Sequence, residues 1–342
     1  MLLQKRIGEI AGKSYPVGFD IIEGIPINFD YKGKIAKQLK ELDAELKPEM
    51  KKLDWYHDPK GVQEIAKRVY ETTEILIGAT DVVSKFAKVI DYDQWNKYIT
   101  TIRSGFARPA RKNIGGRTIA NALKDAQISP PTQIRWEVTY AVEVPKLKAP
   151  VNEGGIRPSD IAKWLAFAWA FHRAELMEDI LLASYPDGGT YVVDGTAGVN
   201  DTVLKNAIEN TKRPKGIYGT ERAINQIVFD GTNTIVTDEM RNELHKLGKV
   251  GSYRGKPIIE LDNLETPLVD IDGTWTDVQA LSDDSLWVPS GFELWFLWGH
   301  WTNAPENREE VRVSDNLFYI YSEWIYNGKI IVPQYARRIQ LS

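Results

Sequence analysis

The stretch GGIRPSDIAKWLAFAWAFHRAELMEDILLASY, residues 154–185, decides the architecture of this chain. Ser159 or Asp160 can cap the start of a helix here, and Pro186 stops that helix about 25 residues later. We therefore predict one long helix over residues 159–185. At about 1.5 Å per residue, this helix would be about 37 Å long.

Apolar side chains follow one face of the predicted helix, at Ile161, Leu165, Trp169, Leu176 and Ile180. Three aromatic residues widen this face in the first half: Trp164, Phe167 and Phe171. Four charged residues are predicted to keep one side in solvent in the second half: Arg173, Glu175, Glu178 and Asp179. The pattern indicates a central rod with a sheet packed on it. A long core helix of an α+β enzyme is the alternative that the helix alone leaves open.

A strand precedes this helix. Residues 134–144, IRWEVTYAVEV, alternate apolar and polar side chains without interruption, and prolines bracket them. Such alternation predicts a long strand with one buried face. The strand leads into the helix through a short loop.

The residues after the helix predict a compact, alternating α/β lobe. Its predicted elements are helices at 201–210, 221–228 and 238–247, a strand at 216–218, a turn, strand and turn over 251–263, and a pair of strands within 286–299 joined at 289–291. The glycine-rich connection at 187–201 lacks the spacing of a phosphate-binding loop. From residue 310, two strand-like segments are predicted to form a hairpin, because Asn327 and Gly328 supply both positive φ angles of a tight turn.

The N-terminal part of the chain predicts mostly helices. Residues 1–30 show little periodicity, and we interpret them as an extended arm. An amphipathic helix is predicted over 32–54, a second from Asp58 to about Gly78, and a third over 81–102.

A basic stretch lies between these helices and the long strand. No acid occurs between Gln94 and Lys124, and glycines and prolines exclude a regular element in the middle. The cations of this stretch include Arg103, Arg108, Arg111, Lys112 and Arg117. Three interpretations remain: contact with phosphate, contact with an acidic patch on a neighbouring subunit, and a solvated charged loop. Arginine favours planar, bidentate contacts and therefore an interface.

Composition excludes several classes of function. The chain has 342 residues, of which 43% are hydrophobic and 26% charged, as is typical of a globular protein with two or three lobes. It has no cysteine, so thiolate metal sites and cysteine nucleophiles are excluded. A net charge of −4 argues against a dedicated nucleic-acid binder. No apolar run is long enough for a membrane span.

Motifs of catalysis or ligand binding are scarce. The four histidines are scattered without metal-binding spacing, and no GxSxG occurs. We therefore predict no catalytic, cofactor-binding or metal site. Four tryptophans lie close together in the sequence, at Trp287, Trp295, Trp298 and Trp301. We interpret them as core or interface packing, with a sugar-stacking platform as the alternative.

The order of these elements resembles a known family. A long alternating strand, a glycine-bounded helix, a lobe with GTERAINQIV, YRGKPIIELDN and SLWVPSG, and a closing IIVPQYARRIQL are similar to the Hong Kong 97-like major capsid proteins of tailed phages. The resemblance covers most of residues 95–342. It implies an α+β fold with a long spine helix, a peripheral β-sheet, an axial α/β domain, an extended loop and an N-terminal arm.

The resemblance also implies domain boundaries: an N-terminal arm at 1–30, a helical N-terminal region at 31–94, an extended loop at 95–133, a peripheral domain at 134–189 and 300–342 that holds the spine helix, and an axial domain at 190–299. In this family the extended loop lies over an adjacent subunit on the outside of the shell. The cations of the basic stretch are therefore expected to contact acidic surface on a neighbour rather than DNA.

The implied function is that of a major capsid protein, a structural subunit that self-assembles into the icosahedral head of a tailed phage around double-stranded DNA. Its expected partners are further copies of itself in hexamers and pentamers, portal, decoration and separate scaffolding proteins, and DNA by non-specific proximity. No cofactor or membrane is expected, and the protein is expected in the virion after assembly in the host cytoplasm. An encapsulin-type compartment of the same fold is one alternative. A soluble α+β enzyme or a tryptophan-rich binding module is the other.

Overall fold

A computed structural model gives the structure of this chain. It describes residues 6–10, 13–17, 34–50, 67–73, 76–77, 81–92, 100–104, 124–128, 130–149, 155–229, 252–261, 264–269, 275–292, 294–301, 309–314 and 317–342. The helix predicted over 238–247 lies outside the described residues.

The described helices confirm most of the helical predictions. Their bounds are α1 (Lys34–Met50), α2 (Val83–Phe86), α3 (Val144–Lys148), α4 (Pro158–Ser184), α5 (Asp201–Asn210) and α6 (Glu221–Phe229). Residues 67–73 are also helical, inside the second predicted helix. Pro333–Tyr335 form one 3₁₀ turn.

The described strands number β1 to β17 in chain order. They are β1 (Arg6–Ile10), β2 (Lys13–Val17), β3 (Lys88–Asp91), β4 (Thr100–Ser104), β5 (Lys124–Ile128), β6 (Arg135–Glu143), β7 (Val192–Asp194), β8 (Ile217–Gly219), β9 (Ser252–Tyr253), β10 (Lys256–Glu260), β11 (Glu265–Val269), β12 (Trp275–Gln279), β13 (Ser285–Val288), β14 (Phe296–His300), β15 (Glu309–Ser314), β16 (Leu317–Ile330) and β17 (Arg337–Gln340). Three pairs form separate two-stranded sheets: β1 with β2, β4 with β5, and β11 with β12.

The first large sheet is built around the long strand β16. Its order is β15, β16, β14 and β3, with β6 also paired to β16. β6 confirms the strand predicted over 134–144, and it runs antiparallel to β16 with Trp136 opposite Trp324. On the predicted buried face of β6, Trp136 and Val142 are buried.

The second large sheet has the order β7, β17, β13, β8, β10 and β9. The pairs β8 with β10 and β17 with β7 are parallel, and β13 runs antiparallel to its neighbours. Helices α5 and α6 pack on this sheet. They enclose a hydrophobic core of their own, which includes Leu204, Ile224, Ile258, Leu286 and Ile339.

Helix α4 is the predicted spine helix, and it packs on β16, β6 and α1. Its buried face continues at four-residue spacing through Ile161, Leu165, Trp169, Arg173, Met177 and Leu181, because residues four apart lie on one side of a helix. The predicted face is therefore wrong in the second half of the helix. Leu176 and Ile180 are only partly buried, whereas Arg173 and Glu178, predicted to be in solvent, are buried.

The start of α4 differs from the prediction in its cap. Arg157 is the N-cap residue, and Pro158 takes the first helical position. Asp160, one of the two predicted caps, is the third residue of the helix. Its carboxylate accepts a hydrogen bond from the backbone amide of Arg157 at 3.1 Å. A negative charge in the first turn also stabilises the helix through the helix dipole.

The prediction of one helix over residues 81–102 is wrong. Helix α2 lasts one turn, and β3 follows it, parallel to β14 with Val89 opposite Trp298. Residues 100–104 form β4. The hydrogen-bond partners of β3 lie far along the chain, so local periodicity could not identify it as a strand.

The prediction of a hairpin turn at Asn327 and Gly328 is also wrong. Both residues lie inside β16, with Gly328 opposite Trp298 of β14. An added Cβ at Gly328 would meet side-chain atoms of Ile180, Phe296 and Trp298 at 2.9 Å each, so the glycine permits close packing and forms no turn. A tight turn with two positive φ angles occurs instead between β9 and β10, where Arg254 has φ 48° and Gly255 has φ 72°.

The strands predicted within 286–299 both exist, but they do not pair with each other. β13 belongs to the second sheet and β14 to the first, so the chain passes from one sheet to the other between these two strands. It crosses back after β16, through the 3₁₀ turn, into β17 of the second sheet. The domain boundaries implied by the sequence stay a prediction.

Candidate functional site

The predicted contact residues lie in the basic stretch between β3 and β6. Arg103 is in β4, which pairs with β5 so that Arg103 lies opposite Asp125. An acidic residue of the paired strand β5 therefore lies across from the first arginine of the stretch. Arg108, Arg111, Lys112 and Arg117 lie outside the described residues. Their role as intersubunit contacts stays a prediction.

Metal-binding clusters and membrane-spanning helices are not found in the described part of the chain. No cluster of three or more histidine, aspartate or glutamate side chains is arranged to hold a metal ion there. Within the same residues, no helix combines the length and the apolar character needed to cross a membrane.

The best-defined group of interacting polar side chains lies where α4 packs on the first sheet, at what we call the joint: Arg173, Asp81, His172, Tyr326, Trp298 and His300. Arg173 is buried, and its guanidinium contacts the Asp81 carboxylate at 3.2 Å. The guanidinium also lies 5.9 Å from the ring centre of Trp298 and 6.0 Å from that of Tyr326. A buried cation needs such partners, because losing them leaves an uncompensated charge in a poorly solvated place. These contacts explain why a charged residue can continue the buried face of α4.

His172 lies on the same helix and faces two aromatic side chains of the sheet. Its Nδ1 is 2.6 Å from the Tyr326 hydroxyl, and its ring centre is 4.1 Å from that of Trp136. Burial lowers the pKa of His172 to about 4, against a smaller opposing effect of Asp179. The imidazole is therefore neutral at pH 7. His172 is therefore part of the packing between the helix and the sheet.

His300 lies at the end of β14. Its Nδ1 is 3.4 Å from the Asp91 carboxylate, and its ring centre is 5.3 Å from that of Trp324. Burial and the positive charge of Arg173 lower the pKa of His300, while Asp91 and Asp81 oppose this effect. His300 is therefore a second histidine of the joint whose surroundings lower its pKa.

The four neighbouring tryptophans of the sequence are all buried: Trp287, Trp295, Trp298 and Trp301. Trp298 stacks with Tyr326 at a ring-centre distance of 5.6 Å, and Trp301 stacks with Tyr92 at 5.0 Å. Their interpretation as packing residues is confirmed, because buried rings offer no platform for a sugar.

A second network fastens the C-terminal end of α4 to the second sheet. Arg338 of β17 is buried and donates to the Ser285 hydroxyl at 2.8 Å, the Tyr185 carbonyl at 3.0 Å and the Asp187 carboxylate at 2.6 Å. The ring of Tyr185 packs edge-on against Trp287 of β13 at 5.8 Å. Helix α4 is therefore fixed to the first sheet along its length and to the second sheet at its end.

A cavity of about 440 Å³ lies beside the second half of α4. Five carboxylates line it, from Glu175, Glu178, Asp179, Asp283 and Asp284. Asp283 accepts a hydrogen bond from the Thr220 hydroxyl and pairs with Arg222 at 3.3 Å. The lining of the cavity is therefore rich in carboxylates.

Sequence reasoning missed the joint and the Arg338 network. One signal was present for Arg173, because the spacing of Ile161, Leu165 and Trp169 continues to position 173. Its partner Asp81 is distant in the sequence, and no local pattern connects the two. The contacts among these side chains hold the helix on the sheets. The histidines of the joint are also titratable, so they can bind protons when the pH falls.

Comparison with known proteins gives similarity in structure alone. No protein-family model matches the sequence, and no curated protein matches it. The structure is similar to one described as Gordonia phage Cozz, with a TM-score of 0.51 and 12% identity over 77% of this chain and 87% of that chain. It is also similar to the capsid structure of the cyanophage P-SCSP1u, with a TM-score of 0.46 and 12% identity over 75% and 86%. The holo-SrpI encapsulin complex from Synechococcus elongatus PCC 7942 has a TM-score of 0.42 and 12% identity over 64% and 77%.

The element order of this chain comprises a long strand, a spine helix fixed to two sheets, and an α/β lobe, after which the chain returns to the first sheet. The chain therefore has the α+β Hong Kong 97-like fold that its sequence resembles.

Proposed function

We propose that this chain is the major capsid protein of a tailed bacteriophage, the structural subunit that self-assembles into the icosahedral head shell around double-stranded DNA. The observation that carries the proposal is the Hong Kong 97-like fold, shared with the Gordonia phage Cozz structure over most of both chains. A shell subunit needs a rigid body that presents large contact surfaces to several neighbours. The spine helix α4, fixed to both large sheets, supplies such a body.

In this proposal the copies of the chain form hexamers and pentamers, and the protein is structural rather than enzymatic. Portal, scaffolding and decoration proteins are further partners, and the packaged DNA is a neighbour through non-specific proximity. The protein acts in the virion after assembly in the host cytoplasm. No cofactor or membrane takes part.

The proposed intersubunit contacts are Arg103, Arg108, Arg111, Lys112 and Arg117. The stretch from Gln94 to Lys124 contains no acid, so most of its cations need acidic partners from elsewhere. Exposed ion pairs contribute only about 0 to 1 kcal/mol each. Repeated over every subunit contact of a shell, such pairs would still stiffen the lattice.

Electron microscopy of the purified protein tests the proposal. We expect closed icosahedral shells that elute in the void volume of a size-exclusion column. Shells produced in infected cells should contain double-stranded DNA. Shells that instead contain one protein cargo and no DNA would favour the encapsulin alternative. A protein that stays monomeric at high concentration, with and without added scaffolding protein, would contradict both.

A further inference from the structure

Two histidines belong to the joint that holds the buried guanidinium of Arg173. His172 precedes Arg173 on α4 and contacts Tyr326 of β16 and Trp136 of β6. His300 ends β14 and contacts Asp91 of β3. Tyr326 contacts both His172 and Arg173. Its hydroxyl is hydrogen-bonded to His172, and its ring lies under the guanidinium of Arg173. The joint therefore brings one permanent cation and two titratable groups to one buried aromatic cluster.

Charged groups of the described residues influence both histidines. His172 is influenced by Asp179, two turns farther along α4, and Tyr326 on the sheet is uncharged at pH 7, since burial raises the pKa of its hydroxyl. His300 is influenced by Arg173 of α4, by Asp91 of β3, and by Asp81, which precedes α2. The Asp91 side chain is 65% exposed, so water screens it. Protonation of His172 would therefore add a positive charge to the buried aromatic cluster that already holds the guanidinium of Arg173.

We propose that the joint between α4 and the first sheet is an acid-sensitive contact, in which neutral His172 holds the helix on the sheet and protonated His172 weakens that hold. The inference concerns the folded chain itself and does not depend on the proposed shell function. Its failure would leave the assembly proposal unaffected.

The direction of the pH dependence follows from proton binding. Folding lowers the pKa of His172 from about 6.5 to about 4, so the unfolded chain binds more protons between these values. The stability that neutral His172 contributes is complete above pH 6.5 and is lost as the pH falls towards 4. At pH 4.5 this linkage increases the equilibrium constant of unfolding roughly 60-fold relative to pH 7.

Urea unfolding of the purified full-length chain at pH 7 and pH 4.5 tests the proposal. Wild type, His172→Gln and His300→Gln are compared, because glutamine is polar but does not titrate. Between the two pH values, we expect the unfolding constant of His172→Gln to change roughly 60-fold less than that of the wild type. His300→Gln should remove less, since Asp91 faces that ring. An equal pH dependence in wild type and His172→Gln would overturn the proposal.

Tryptophan fluorescence of the wild-type protein gives a second readout if His172→Gln does not fold. Imidazolium quenches indole emission more strongly than neutral imidazole, and the rings of His172 and Trp136 are 4.1 Å apart. We expect a quenching step with a midpoint near pH 4 while circular dichroism still reports folded protein. The step should be absent in Trp136→Phe. A midpoint near pH 6.5, or no quenching before unfolding, would show that His172 titrates as an exposed histidine and would refute the proposal.

Discussion

Asp43 on α1 fixes the start of the spine helix through Ser159. Its carboxylate accepts two hydrogen bonds from this residue, one from the backbone amide at 2.9 Å and one from the hydroxyl at 2.7 Å. Free amides in the first turn of a helix need such acceptors. Three leucines of α1 are buried in the same core as α4: Leu39, Leu42 and Leu46. The N-terminal helix is therefore part of the core rather than an appendage.

Replacing Asp43 should destabilise the protein through this contact. We expect Asp43→Ala to lower the free energy of unfolding by about 1 to 2 kcal/mol, because it removes the acceptor for a buried amide and hydroxyl. Glu41→Ala is the matched control, since it removes a carboxylate of the same helix that is 61% exposed. Chemical denaturation measures both. Equal effects of the two variants would show that the bond to Ser159 contributes nothing.

A carboxylate placed on the buried face of α4 should prevent folding. Ala166 is 1% exposed, whereas Ala168, half a turn away, is only partly buried. We expect Ala166→Asp to cost several kcal/mol, because the new charge has no partner, and to abolish soluble, folded protein. Ala168→Asp should remain folded by circular dichroism. The packing assigned to α4 would be wrong if the two variants behaved alike.

Gly328 tests the close packing of β16 against α4. Gly328→Ala would bring a methyl group to 2.9 Å from the Cδ1 of Ile180 and from two aromatic rings. We expect a loss of about 1 to 3 kcal/mol of stability from overpacking. Ile180→Val removes the nearest flexible methyl group, so the double variant should recover part of that loss. Additive effects of the two substitutions, measured by thermal unfolding, would argue against contact between these positions.

Charge reversal tests the proposed intersubunit role of the basic stretch. We expect the triple variant of Arg108, Arg111 and Arg117 to glutamate to remain folded and soluble, but to form fewer shells and to assemble with a strong salt dependence. Replacement of the same arginines by lysine, which keeps the charge, is the control. Normal shells that package less DNA would contradict the intersubunit role and favour contact with the genome.

Much of this fold was determined by local sequence patterns. Helix α4 and strand β6 have long, uninterrupted periodicities and clear stop signals, so the sequence alone predicted both to within a few residues. The order of the elements was enough for the resemblance to the Hong Kong 97-like fold. The intersubunit role of the basic stretch also comes from sequence alone, and it stays a prediction.

Tertiary structure decided the features whose partners are distant in the chain. Residues 88–91 form a strand because β14 offers them hydrogen bonds, although their local pattern favoured a helix. Gly328 lies in a strand because β14 and Ile180 surround it, although Asn-Gly is a turn signal. Arg173 is buried because Asp81 and two aromatic rings compensate its charge. In each case the deciding free energy comes from pairing or burial between distant segments, and a local sequence pattern carries no record of such contacts.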